Sequence, residues 1–161
     1  PCCLEADVIT YNAAISACER GAHWHDALVL LADMRLRRLV PDLITYNAAS
    51  SACEMGTRWH EAARMFSDLR LRHLELDVIT YNAAVAACGR GARWLGALGT
   101  LSDMRARRLE PNVVTYNAAI GACERGARYH EALGMLSDMR LRCMQPDEIT
   151  YSSAVGACEK G

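Results

Sequence analysis

The sequence has a single lysine. Of its 18 basic residues Lys160 alone is not arginine, and 19 acidic residues bring the formal net charge to −1. A chain so balanced has no broad positive field with which to gather a polyanion unselectively. Any nucleic-acid partner would have to be held by local, selective contacts. No apolar run approaches the ~18 residues of a membrane span, so no membrane partner is expected. Reaction chemistry is missing as well. There is no Cys-x-x-Cys pair, no Walker-type glycine loop and no Gly-x-Ser-x-Gly elbow. Nor is there a deaminase signature, which joins His-x-Glu to Pro-Cys-x-x-Cys. No catalytic residue, metal, cofactor or small-molecule substrate is expected. The chain opens Pro1-Cys2-Cys3 without an initiator Met or a targeting segment, and is expected to be a piece of something longer.

What is present is order. Hydrophobic residues make up 52% of the chain, enough for a core and too many for a disordered segment. Tyr recurs at 11, 46, 81, 116 and 151, and Gly at 21, 56, 91, 126 and 161. Trp24, Trp59, Trp94 and Tyr129 keep the same step of 35 residues. A fixed period of this size marks stacked repeats. Four complete units run 8–42, 43–77, 78–112 and 113–147. Residues 1–7 align with the tail of a preceding unit, and 148–161 with the first half of a fifth.

Each unit reads as two helices. Tyr11, Ala14, Ile15 and Cys18 fall at i, i+3, i+4 and i+7, one apolar stripe. Gly21 is expected to turn left-handed past the helix end. Trp24, Ala27, Leu28, Leu31 and Met34 form a second stripe, closed by Arg35, Arg37 and Arg38 at the negative helix end and by Pro41. The second unit has Leu76 in place of that proline, so a looser turn is expected there. Helices this short need neighbours, which predicts an all-α solenoid. Of eight cysteines, Cys18, Cys53, Cys88, Cys123 and Cys158 keep the repeat spacing and are expected to face the core unpaired. Trp24, Trp59 and Trp94 are expected between helices. His25, His60 and His130 share one repeat position that Leu95 interrupts, which argues against a metal site.

The stretch Asp42-Leu43-Ile44-Thr45-Tyr46-Asn47 and its counterparts resemble the start of the pentatricopeptide repeat, and Glu61 to Arg70 resembles its second helix. The resemblance covers the whole chain. It implies a right-handed superhelix lined by the first helices, and binding of single-stranded RNA at about one base per repeat. The implied base-specifying residues are the one after the repeat tyrosine and the last of the unit. Here these are Asn12 with Asp42, Asn47 with Asp77, Asn82 with Asn112, and Asn117 with Asp147. The implied base-sandwiching aliphatics are Ile9, Ile44, Ile79, Val114 and Ile149. In such a family Asn with Asp favours uracil and Asn with Asn cytosine, so the four units would read 5′-UUCU-3′. The implied setting is organelle transcripts, in the plastid or mitochondrion. Their processing, stability or translation would be the task.

The residues themselves give a compatible geometry. Asn12, Ser16 and Arg20 lie at i, i+4 and i+8, a polar stripe beside the apolar one. The equivalents end in Met55, Arg90, Arg125 and Lys160, with a small residue in the middle each time. Amide, gap and cation suit base edge, backbone and phosphate. Arg20, Arg90, Arg125 and Lys160 are therefore the phosphate-contact candidates, and Met55 departs from the pattern. Simpler roles compete. Asn12 could serve as a helix cap, Asp42 as a carboxylate at the next helix N-terminus, and Ile9 and Ile44 as packing residues. At the level of function the alternative is a protein-binding scaffold, using the convex face. A third reading is an enzyme whose catalytic domain lies elsewhere.

Overall fold

The computed structural model describes residues 6–56, 58–71 and 76–161. Pro1 to Glu5, with Cys2 and Cys3, lie outside these residues, as does the turn expected to be loose before Leu76. The described residues form nine α-helices of 13 residues each. The first helices of the repeats are α1 (Val8–Arg20), α3 (Leu43–Met55), α5 (Val78–Arg90), α7 (Val113–Arg125) and α9 (Glu148–Lys160). The second helices are α2 (Trp24–Leu36), α4 (Trp59–Leu71), α6 (Trp94–Ala106) and α8 (Tyr129–Leu141). No strand occurs among the described residues.

The chain divides into two compact units, one ending at Leu76 and the other spanning Asp77–Gly161. In the first, α1 packs on α2 and α3, and α3 on α4. In the second, α7 sits between α5 and α9, while α6 and α8 each bridge two successive first helices. This is the helix-pair stacking of an all-α repeat solenoid. Small residues allow the close approach of first helices. Ala49, Ala52, Ala87, Ala119, Ala122 and Ala157 are buried along them. The expected stripes supply the rest of the core: Tyr11, Tyr46, Tyr81 and Tyr116 are buried, with Ile15, Val85 and Ile120 one turn on from the first, third and fourth. Met34, Met104 and Met139 fill the matching place on the second helices.

Asp and Asn start the first helices. Asp7, Asp77, Asn112 and Asp147 each accept the backbone N–H of the threonine three residues on. This satisfies a donor that a helix start leaves orphaned.

The helix ends correct one expectation. Gly21 has φ −90°, and the left-handed residue is Ala22 (φ 53°). Ala92 and Ala127 repeat this, and Arg38, Arg108 and Cys143 do so after second helices. His23 N–H reaches the Cys18 carbonyl at 2.9 Å and Ala22 N–H the Glu19 carbonyl at 3.0 Å, a Schellman closure one residue later than expected. The glycine is there for space. A Cβ on Gly126 would sit 2.7 Å from Trp94 Cδ1, and one on Gly56 would strike the Trp24 ring. The indole of one repeat thus lies on the glycine of the next. An arginine covers each ring, Arg58 at 4.3 Å from the Trp24 centroid and Arg128 at 4.2 Å from that of Trp94. Trp24 and Trp94 are inter-repeat contacts, as expected.

The Gly126-Ala127 pair therefore predicts two opposite effects. Gly126→Ala should destabilise the fold by about 1–3 kcal/mol, because the indole has to move. Ala127→Gly should stabilise it by about 1 kcal/mol, because a Cβ in the left-handed region is relieved. Urea midpoints of the two variants, at unchanged m-value, measure both; equal shifts of the same sign would refute the assignment.

The cysteines follow the burial of their helices. Cys53 and Cys123 are buried, Cys18 and Cys88 are half-buried, and Cys158 is exposed, so the expected common core position fails at Cys158. That residue lies on α9, and the core position of Cys123 is closed by a following helix pair. The described cysteines are free thiols. Burial pushes the Cys123 thiol up to about 11, which makes it inert at neutral pH.

Candidate RNA interface

The first turn of each first helix brings three kinds of side chain together. Thr45, on α3, is buried between two residues of the preceding repeat. Its backbone N–H donates to Asp42 Oδ1 at 2.9 Å, and its hydroxyl is 2.8 Å from the same oxygen. That hydroxyl also donates to Asn12 Oδ1, and Asn12 Nδ2 donates to both Asp42 oxygens at 3.2 Å. The two residues of the first implied base-specifying pair are therefore in direct contact. In the second unit Asn117 Nδ2 donates to both Asp147 oxygens at 3.0 Å, and the Thr150 hydroxyl donates to Asn117 Oδ1 at 2.5 Å. The third pair differs as its chemistry demands. Thr115 donates to Asn82 Oδ1 at 2.5 Å, but Asn112 offers no carboxylate to the Asn82 amide.

Both simpler readings of the aspartates hold alongside this. Asp42 and Asp147 start the next helix and also bind the asparagine of their own repeat. For Asn12 and Asn117 the cap reading fails: the caps are Asp7 and Asn112, and these amides bind the last residue of their own repeat and the first-turn threonine of the next. Burial works to raise the Asp42 pKa, but the Thr45 N–H, the Thr45 hydroxyl and the Asn12 amide outweigh it and hold the carboxyl below its usual value. The Thr150 N–H foremost, then its hydroxyl, do the same for Asp147. Both groups are anions at neutral pH and can only accept hydrogen bonds. Oδ1 of each carries the threonine contacts, so Oδ2 keeps more free lone-pair capacity.

Beside each set stands an exposed aliphatic residue. Ile9 is 76% exposed, Ile44 63%, Ile79 66%, Val114 61% and Ile149 62%. The packing reading of these residues fails. At one repeat position, each compact unit thus leaves β-branched side chains in water as apolar platforms.

The polar stripe is more crowded than expected. Arg125 Nε donates to the Gly89 carbonyl at 2.6 Å, and its guanidinium fills the space a side chain on Gly89 or Gly121 would need. Lys160 pairs with Glu124 at 2.8 Å, and the Glu124 carboxylate lies over Gly156. Long side chains of the protein thus occupy two gaps that small residues were expected to leave for a backbone. Arg20 is exposed. Arg90 is exposed at its helix end and has an interaction of its own. Met55 is exposed, which puts no cation at its place in the stripe.

Sequence reasoning missed one network. Tyr46 OH donates to Asp68 Oδ2 at 2.9 Å, and Arg35 of the preceding repeat binds both groups. Tyr116, Asp138 and Arg105 repeat the arrangement, with Arg142 on the second Asp138 oxygen at 3.1 Å. The apolar stripe marks the tyrosine as core alone, yet its hydroxyl ties three helices. His25, His60 and His130 are exposed, and no group of three or more potential metal-ligating side chains occurs among the described residues.

Comparison with known proteins agrees with this geometry. The crystal structure of the pentatricopeptide repeat protein PPR10 in complex with an 18-nt psaJ RNA element is 31% identical, with a TM-score of 0.79. The match covers 99% of this chain and 23% of that one. PPR10 from maize on its own is 26% identical over 98% of this chain and 22% of that one, with a TM-score of 0.67. The PPR domain of Arabidopsis thaliana protein-only RNase P 1, in complex with tRNA, shares the fold at 14% identity. Its TM-score is 0.82 over 91% of this chain and 78% of that one. This chain thus spans less than a quarter of the PPR10 chains it matches. No curated protein matches it. The family model described as "PPR repeat family" matches residues 6–54 and 111–160, and that described as "Pentatricopeptide repeat domain" matches 64–126. The first of these alone takes in more than half of the sequence, and the chain belongs to the PPR repeat family.

Proposed function

We propose that this chain binds single-stranded RNA, about one base per repeat, and that it prefers 5′-UUCU-3′. The observation that carries the reading is the repeated set at the start of α3, α7 and α9. In each, an asparagine, its Asp or Asn partner and an exposed aliphatic residue stand together. The 31% identity to PPR10, which was crystallised with an RNA element, supports it. An aliphatic platform covers a base face without regard to identity, and the polar pair meets the base edge. Uracil offers a donor at N3 that a carboxylate accepts, whereas cytosine has an acceptor there. Asp42, Asp77 and Asp147 therefore suit uracil, and Asn112 suits cytosine. The neutral charge of the chain fits selection over indiscriminate attraction. Work on organelle transcripts, in plastid or mitochondrion, is the setting that the family resemblance supports.

Fluorescence anisotropy with a short labelled RNA containing UUCU tests the reading. This RNA should bind more tightly than its base-scrambled isomer or its duplex. Arg20→Ala should weaken every RNA alike and reduce the slope of log affinity against log salt by about 0.7, the share of one phosphate contact on a single strand. Equal binding of the scrambled RNA would refute base selection. Absence of RNA binding would give the lead to the protein-scaffold reading.

A further inference from the structure

The base-specifying asparagines present an amide, and an amide has two faces of opposite character. Rotated half a turn, it offers an oxygen where it had offered N–H groups. Something must choose between the orientations if the asparagine is to discriminate bases. We infer that the buried threonine at the start of the following repeat makes this choice: Thr45 for Asn12, Thr115 for Asn82 and Thr150 for Asn117. The inference rests on the base-reading function proposed above, and adds a residue to it that touches no base.

The argument is one of protons. Thr115 Oγ1 lies 2.5 Å from Asn82 Oδ1, and Thr150 Oγ1 lies 2.5 Å from Asn117 Oδ1. Two oxygens that close need a hydrogen between them, and the amide oxygen carries none. The hydroxyl hydrogen is therefore directed at the asparagine. The threonine's own lone pairs are engaged from the other side: the Asn112 N–H reaches Thr115 Oγ1 at 3.1 Å, as does the Asp147 N–H for Thr150. The competing acceptors are Asn112 Oδ1 at 3.0 Å and Asp147 Oδ1 at 2.8 Å, and a hydroxyl turned toward either would leave two bare oxygens 2.5 Å apart at the asparagine. Thr115 and Thr150 are fully buried, so water offers no replacement. With Oδ1 held by the threonine, Nδ2 is the atom left to face the partner residue and a base.

The three sets are not equally robust. In the Asn12 and Asn117 sets a carboxylate also holds Nδ2, so the amide keeps two restraints. Asn82 faces Asn112, whose amide carries no charge, and its orientation depends on Thr115. The choice made by α7, in the fourth repeat, thus governs the base read by the third. Thr115 is a positioning residue, and its effect crosses the repeat boundary.

The test compares Thr115→Val, which keeps the shape and removes the hydroxyl, with Thr115→Ser, which keeps the hydroxyl. Both are made in the 161-residue chain. Affinities are measured for RNAs that vary one base of UUCU at a time, and folding is followed by thermal melts. Thr115→Val is expected to lose about fivefold of the preference for cytosine over uracil at the third base, the effect of one neutral hydrogen bond. Preferences at the other three bases should be retained. Thr115→Ser should keep the wild-type pattern, and Thr150→Val should change the fourth base less than Thr115→Val changes the third. A Thr115→Val chain that binds all RNAs more weakly but keeps its third-base preference overturns the inference, because the hydroxyl then acts only as part of the helix cap. A wild-type chain without preference at any base overturns the base-reading function, and the inference with it.

Discussion

Replacing Asn112 by aspartate is expected to turn the third-base preference from cytosine to uracil, by about tenfold or ~1.4 kcal/mol, with the other three bases unaffected. The substitution isolates chemistry from stability. Asn112 Oδ1 accepts the Thr115 N–H at 3.1 Å and starts α7, and Asp147 does the same for α9 at 2.8 Å. Asn and Asp cap about equally well, so the helix should not register the change. The new carboxylate gains what Asp147 has, the N–H groups of an asparagine at 3.0 Å. It also loses the N–H that a cytosine N3 can accept and gains an acceptor for uracil N3–H. Selection from RNAs randomised at the third base reads the result directly. An unchanged cytosine preference would show that residue 112 does not meet the base, and would remove the pairing rule from this protein.

Asp138→Ala should cost about 2 kcal/mol of stability, well above the loss of an exposed ion pair. Asp138 accepts from Tyr116 OH on α7, Arg105 on α6 and Arg142 beyond α8. Burial works to raise its pKa, but the hydrogen bonds from Tyr116 and Arg142 and the arginine charges hold the carboxyl low. Truncation would leave the buried Tyr116 hydroxyl and the Arg105 guanidinium without their shared acceptor. A fully buried charge pair would cost more, but the Arg105 and Asp138 side chains are 34% and 30% exposed, so solvent recovers part of the loss. Asp138→Asn should fall between, since it keeps an acceptor without the charge. Urea denaturation of both variants at constant m-value gives the numbers. A cost for Asp138→Ala no larger than that of an exposed ion pair would mean that apolar packing alone joins the helix pairs.

Much of this was legible because the sequence repeats. A step of 35 residues fixes which residues are equivalent, and the i, i+3, i+4, i+7 stripes fix which face each helix buries. The start of each first helix could be read too, since Asp or Asn with Thr three residues on is a local capping signal. Features that depend on one turn of chain escape the pattern where two residues compete for one geometry. Gly126 and Ala127 are neighbours, and the turn placed the left-handed residue on the alanine while the glycine lies under the Trp94 indole of the preceding repeat.

The remainder was decided between repeats. Asp33 has a local partner in Arg37 at i+4, but Arg35 faces no carboxylate three or four residues away on its own helix. Only stacking shows that Arg35 meets Asp68 and Tyr46 of the next unit. Thr45 reads as a cap partner for Asp42, and only stacking sets its hydroxyl on Asn12. Sequence determined the helices, their buried faces and the identity of the residues offered to a ligand, because these follow from periodicity and single side chains. Tertiary structure decided which atoms those residues present. The partners that orient an amide or fill a gap come from the adjacent repeat, 33 or 36 residues away in sequence and one hydrogen bond away in space.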